Sequence, residues 1–279
     1  SDIPSTNLCA VESLSQSLTA AKSTGVVWVW LDKSSSLPDS LRDLPNVEVK
    51  YGDLGAMVAG TPLAALYDSD RDLGKYAEQN KANAIRLAAV FKHGGTYLDG
   101  DFVVVKDPSV LWEGAAFEVR QAHRFNNAAF KFRRNSSHVL ALMEEFVAGY
   151  DGDAWGHQGP SLFSRVFSSP YKRGRACGLN PQASRVSCEG IPYDFRVWNT
   201  DTVYPFAYQN TSLFFARPED APGVTNETVM VHCWHKGTKR LEAHLCHSDQ
   251  DALKATMIGA LRSKHCPQSF AKILHDCAI

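Results

Sequence analysis

The stretch Asn83 to Asp107, NAIRLAAVFKHGGTYLDGDFVVVKD, decides how the rest of the chain is read. Ala84, Leu87, Ala88 and Phe91 recur at near-helical spacing and extend a pattern that starts at Leu73, which predicts a long helix over 73–93. Gly94 and Gly95 end it, because glycine tolerates the left-handed backbone that terminates helices. Thr96 to Leu98 and Phe102 to Val105 then read as strands around Asp99-Gly100-Asp101. Two readings of that triplet are open. Asp-Gly between apolar strands is a hairpin signal. Equally, residues two apart on a strand share a face, so Asp99 and Asp101 can converge if Gly100 permits the bend, and paired hard oxygen ligands suit Mg2+ or Mn2+. Arg86, the double glycine and Tyr97 favour the second reading.

Outward from this stretch, strands alternate with helices through the first half. Leu8–Ser23 has helical spacing, Val26–Leu31 is a β-branched and aromatic strand, and Val47–Tyr51 alternates as a second strand. Short helices are expected over Pro62–Tyr67 and Pro160–Phe167, longer ones over Val139–Tyr150 and Asp249–Lys264, and a strand over Val229–Trp234. The region from Pro170 to Pro192 reads as an irregular loop clipped by disulfides. The expected fold class is therefore α/β, a mixed central sheet flanked by helices. No linker divides the 279 residues, so one domain is expected, with a first part near 26–107 and a second part near 108–279.

A net charge of −1, 44 % hydrophobic and 21 % charged residues describe an ordinary globular chain with no basic excess to engage nucleic acid. The apolar run Val26–Leu31 is far shorter than the roughly 20 residues a membrane helix needs. Seven cysteines leave at least one free or intermolecular thiol, and Cys177 with Cys188 is a pairing suggested by proximity. Three sequons, at Asn135, Asn210 and Asn226, together with the cysteines point to the secretory pathway.

Four blocks in order, Asn83–Asp107, NNAAFKF from Asn126, WGHQGPSLFSRVF from Trp155 and VHCWHKGTK from Val231, resemble the α-1,4-glycosyltransferase group of DXD-type enzymes. That group includes globotriaosylceramide synthases and α-1,4-N-acetylglucosaminyltransferases. The resemblance implies a GT-A-like fold, a UDP-sugar donor, Mn2+ (or Mg2+), retention of anomeric configuration, and a Golgi-lumenal domain whose membrane anchor lies upstream of this chain. It implies that Asp99 and Asp101 are the DXD carboxylates, that Asp101 holds the metal most directly, and that His232 completes the metal site. Arg86 would bind the donor sugar, with Asn83, Tyr97 and Asp99 beside it. Gly94 and Gly95 would admit the nucleotide to the backbone, and Lys236 would meet the diphosphate. Trp155, His157, Gly159 and Pro160 would floor the sugar, and Gln158 would stand near the anomeric carbon.

Two positions depart from the group's pattern. Asn83 stands where Asp is usual in Asp-x-x-Arg, so an acceptor oxygen is kept and a charge is lost. His235 stands where Asn is usual. Asn83 keeps two rivals open: a glycan- or nucleotide-sugar-binding protein that has lost turnover, and a transferase using another donor such as GDP-mannose. Cys233, His235, Cys246 and His247 offer a competing zinc set, with spacings unlike common zinc patterns. Trp28 and Trp30 read as core, and the strand end near Asp32 as the better nucleotide position. The segments 114–130 and 173–191 are expected to be loops that choose the acceptor.

Overall fold

The computed structural model describes residues 3–31, 35–67, 72–119, 124–172, 177–180, 185–188, 191–221 and 223–278. In chain order the elements are α1 (Ser5–Ala20), β1 (Val27–Leu31), α2 (Asp39–Arg42), β2 (Val47–Tyr51), α3 (Leu54–Val58), α4 (Ala64–Tyr67), α5 (Ala77–His93), β3 (Gly95–Leu98) and β4 (Phe102–Val104). They continue with β5 (Gly114–Val119), β6 (Arg124–Phe132), α6 (Ser137–Ala148), α7 (Pro160–Lys172), β7 (Cys177–Asn180), β8 (Arg185–Cys188), β9 (Ile191–Trp198) and α8 (Thr200–Val203). The chain closes with β10 (Met230–His232), α9 (His235–Ser248), α10 (Gln250–Lys254), α11 (Met257–His265) and α12 (Pro267–Ala278). The fold is the expected mixed α/β. Its residues group into two compact units, one formed by Ser1–Tyr51, Leu98–Val110 and Asp201–Ile279, the other by Gly52–Tyr97 and Leu111–Thr200.

In the first unit, β1 and β2 pair in parallel, Val27 opposite Val47. Alternation sends Val29, Leu31, Val47 and Val49 against Leu8, Leu37 and Leu41. Trp28 and Trp30 take the other face. Trp28 is 42 % exposed, so it is not the core residue its β-rich context suggested. Asp32 lies outside the described residues. β4 pairs antiparallel with β10, Phe102 opposite His232. Helix α1 covers β4: the Ser13 hydroxyl accepts the Val104 N–H at 2.9 Å and donates to the Cys9 carbonyl at 2.6 Å. The same helix is tied to the C-terminal helices by the Cys9–Cys266 disulfide. Glu12, fully buried, accepts the Gln268 and Ser269 N–H groups at the start of α12, at 3.0 and 2.7 Å. Those N–H groups have no partner within their own helix, and an anionic cap also suits the positive end of the helix dipole. The expected closing helix over 249–264 is two helices. Asp249 caps α10 through the Ala252 N–H, and Thr256 caps α11 through the Gly259 N–H, so side-chain caps restart the chain where the apolar period alone continued.

In the second unit, one mixed sheet runs in the order β3-β6-β5-β9-β8-β7. β5 is antiparallel to β6 and parallel to β9. Phe125, Phe130, Phe132, Phe163 and Phe195 are buried around it, each contributing roughly 1.5–3 kcal/mol by leaving water. β3 neighbours β6, whereas β4 neighbours β10, so Asp99-Gly100-Asp101 is not a hairpin turn. The segments expected as acceptor loops hold strands instead: β5 and most of β6 within 114–130, and β7 and β8 within 173–191. Register places Cys177 opposite Cys188 in backbone. Their side chains, and with them the suggested disulfide, lie outside the described residues. Among the described residues, no helix is long and apolar enough to cross a membrane.

Candidate active site

In the first unit, the turn after β3 brings Asp99 and Asp101 to the end of β10. One ligand atom from each of Asp99, Asp101 and His232 lies within 4.8 Å of the others. The carboxylates occupy a turn rather than a strand, so the bend at Gly100 brings them together, not a shared strand face. Asn7 packs against Gly100, with three side-chain atoms 3.0–3.2 Å from where a Cβ would stand, so any larger residue there would push Asn7 away.

Asp101 is gripped at three points by the β10–α9 segment. His232 Nε2 lies 3.0 Å from Oδ1, the His235 N–H donates to Oδ2 at 3.0 Å, and the Cys233 N–H donates to the main-chain carbonyl at 2.8 Å. Burial alone would raise the Asp101 pKa, but the His232 imidazole and the His235 N–H outweigh it and hold the group down at about 2. The residue before His235, Trp234, has a left-handed backbone (φ 50°, ψ 52°), a conformation costing a bulky residue of order 1–3 kcal/mol. His232 Nδ1 has no hydrogen-bond partner among the described residues. Two carboxylates and an imidazole form a donor set that suits Mn2+ or Mg2+, so the residues fit the expected ion. Lys236 is exposed on the first turn of α9. Beneath the site, Arg262 and Glu242 form a buried ion pair, the two side chains 3 % and 5 % exposed. The zinc alternative fails: Cys246 is bonded to Cys277, and Cys233 is a free buried thiol whose pKa burial pushes up to about 12.

In the second unit, α5 aims Asn83 and Arg86 inward, each 9 % exposed. Arg86 donates to the Asn127 carbonyl at 2.9 Å, and its guanidinium lies 4.7 Å from the centre of the Tyr97 ring. The Asn127 amide donates to Asn83 Oδ1 at 2.8 Å. Gly159 stands against both amides: a Cβ there would come within 3.4 Å of them. Gly94 (φ 73°) ends α5, and its missing Cβ makes room for the Arg134 N at 2.7 Å, whereas the space above Gly95 (φ 100°) is open. Trp155 is 56 % exposed and meets the Tyr76 ring edge-on, and Pro160 begins α7.

The structure corrects the expected sugar contact of Gln158, and places His157 half-buried beside it. Gln158 is 0 % exposed; its amide nitrogen donates to the Phe146 carbonyl at 2.6 Å and its oxygen accepts from Arg165 at 3.3 Å, so it braces the helix pair instead of facing a sugar. His157 Nε2 lies 3.0 Å from the Gly149 carbonyl. The sequon residues Asn135, Asn210 and Asn226 are all exposed.

The model of the alpha 1,4-glycosyltransferase conserved region matches residues 131–273, just over half of the chain. The chain belongs to the α-1,4-glycosyltransferase family. A second model, the glycosyltransferase sugar-binding region containing the DXD motif, matches residues 10–118. Within the α-1,4-glycosyltransferase family, the chain is 31 % identical to lactosylceramide 4-alpha-galactosyltransferase of Mus musculus, over 80 % of this chain and 58 % of that protein. It is 25 % identical to alpha-1,4-N-acetylglucosaminyltransferase of Homo sapiens, over 84 % of this chain and 64 % of that protein. The chain thus spans less than two thirds of these relatives. The PaToxG glycosyltransferase structure overlaps with a TM-score of 0.44 at 16 % identity, covering 61 % of this chain and 64 % of that one, which is too loose to assign roles. For this α-1,4-glycosyltransferase family chain, sequence reasoning missed Asn127 and Trp234. Asn127 lay inside a quoted block without a role, and nothing local marks Trp234 as left-handed.

Proposed function

We propose that this chain is the catalytic part of a metal-dependent, retaining glycosyltransferase. It would move a hexose or N-acetylhexosamine from a UDP-sugar onto a glycan of a glycolipid or glycoprotein, in the lumen of the Golgi. The observation that carries the reading is the approach of Asp99, Asp101 and His232 to within 4.8 Å in a chain of this family. The relatives' names support galactose or N-acetylglucosamine as the sugar and an α-1,4 linkage. Mn2+ or Mg2+, held by Asp99, Asp101 and His232, would supply Lewis-acid stabilisation of a departing diphosphate.

The protein's own groups do the rest. Asp101 stays ionised and fixed in orientation, because the imidazole and the α9 N–H occupy its oxygens. Lys236 and the positive end of α9 favour the phosphates. Arg86, steadied by Asn127 and the Tyr97 ring, presents fixed donors to sugar hydroxyls, with Asn83 alongside. No side chain among the described residues is assigned as a nucleophile, which fits front-face attack: the acceptor oxygen bonds to the anomeric carbon, the bond to diphosphate breaks, and the diphosphate takes the acceptor's proton.

The test is product formation from a panel of UDP-sugars with Mn2+, wild type against Asp101→Ala. Transfer lost in the variant is the expected result; full activity there overturns the metal assignment. A second reading, binding without turnover, is favoured by Asn83, whose oxygen is taken by Asn127 and which carries no charge. It wins if donors bind and none is transferred or hydrolysed.

A further inference from the structure

The junction of β10 and α9 breaks the local rules of helix starts. The residue before the first helical turn is normally Ser, Thr, Asp or Asn in an extended conformation, with its side chain accepting an orphan N–H. Here that residue is Trp234, left-handed, with a side chain that makes no cap bond. Its carbonyl already accepts from the Gly237 and Thr238 N–H groups at 2.7 and 3.1 Å, so α9 starts immediately after a single irregular residue. The missing cap comes from Asp101, 134 residues earlier in the chain, through Oδ2 and the His235 N–H.

The left-handed residue is held from three sides. The indole N–H donates to the Phe206 carbonyl at 2.7 Å. The ring meets His232 edge-on at 4.1 Å between centroids, with Tyr204 and Tyr208 each at 5.7 Å. The Thr238 hydroxyl, fully buried, donates at 3.1 Å to the Cys233 carbonyl and lies 3.4 Å from that of Trp234. The irregular residue therefore lets strand end and helix start fall three residues apart, with His232 on one oxygen of Asp101 and the His235 N–H on the other.

We infer that Trp234 is a positioning residue of the cation site: its fixed left-handed backbone and its ring set the orientation of both Asp101 and His232, and so the affinity for a divalent cation. The inference rests on the reading of Asp99, Asp101 and His232 as the cation ligands. Groups that orient metal ligands typically govern affinity by 10–100-fold, which is the size of effect expected here.

The experiment is a Mn2+ titration followed by electron paramagnetic resonance, with UDP present throughout, on wild type, Asp101→Ala, Trp234→Phe and Thr238→Val, each also unfolded in urea. Trp234→Phe keeps a ring and loses the bond to Phe206; Thr238→Val removes the hydroxyl at constant shape. The expected result is at least tenfold weaker Mn2+ binding for Trp234→Phe, a smaller weakening of the same sign for Thr238→Val, and cooperative unfolding in both. A merely structural role would lower the unfolding midpoint and leave Mn2+ affinity at wild-type level in both variants; that result overturns the inference. Should Trp234→Phe fail to fold, Thr238→Val decides alone. Wild type and Asp101→Ala binding Mn2+ alike would instead refute the underlying site assignment.

Discussion

Asn83 and Gln158 are both buried amides of the second unit, and their surroundings give them different work. Asn83 offers its oxygen to Asn127 beside the Arg86 guanidinium, whereas Gln158 is spent on Phe146 and Arg165. Asn83→Asp keeps an acceptor for Asn127 and adds a charge beside an arginine. A charge-assisted bond exceeds a neutral one by roughly 1–1.5 kcal/mol. If this site binds the donor, kcat/KM for the preferred UDP-sugar should rise about tenfold, read in initial-rate assays; an unchanged value would remove Asn83 from the donor site. Gln158→Leu should do the reverse. It leaves the Phe146 carbonyl without its donor, costing roughly 1–3 kcal/mol of stability in urea unfolding, while kcat per folded molecule stays at the wild-type value. A hundredfold fall in kcat with an unchanged midpoint would restore Gln158 as a catalytic group. At this scale the motif blocks of the sequence reveal which residues cluster near the chemistry. They do not reveal which way an amide faces, because a buried amide and a ligand-binding amide have the same side chain.

Elements whose signals are local were legible. α5, β2 and the start of α7 follow apolar spacing, glycine stops and a leading proline. β5 and β6 were not legible, because β6 is buried almost throughout and carries Asn126-Asn127-Ala128-Ala129 at its centre. Such a strand shows neither alternation nor strong β-propensity. α9 was invisible at its start because its cap is Asp101, from a distant turn. The N-terminus of α12 is likewise satisfied from a distance, by Glu12. Glu12→Ala should leave the part-buried Gln268 and the buried Ser269 N–H groups without their acceptor and cost roughly 1–3 kcal/mol, measured as a lower urea midpoint at unchanged m-value. A loss below about 0.5 kcal/mol would mean water replaces the cap.

Across the whole molecule, the Cys9–Cys266 bond spans 257 residues of chain and restricts the unfolded state accordingly. The double variant Cys9→Ser, Cys266→Ser should lose roughly 2–5 kcal/mol, seen as a lower unfolding midpoint under non-reducing conditions; an unchanged midpoint would show the staple to be redundant. Ligand choice is also read on the whole fold, because a ligand bound only by the native state stabilises it by mass action. UDP with Mn2+ should raise the melting temperature, GDP with Mn2+ should not, and chelation should abolish the UDP effect. A larger shift with GDP would move the donor assignment.

The sequence by itself determined the α/β alternation, the glycine stop of α5, the span of β2 and the motif blocks that place the chain in its family, since all of these are written within a few adjacent residues. Only the tertiary structure decided that Asp101 caps α9 through the His235 N–H, that Cys9 meets Cys266, that Trp28 faces outward and that Gln158 faces inward. Each depends on groups brought together from distant parts of the chain or on which face of an element is covered, and neither is encoded in local spacing.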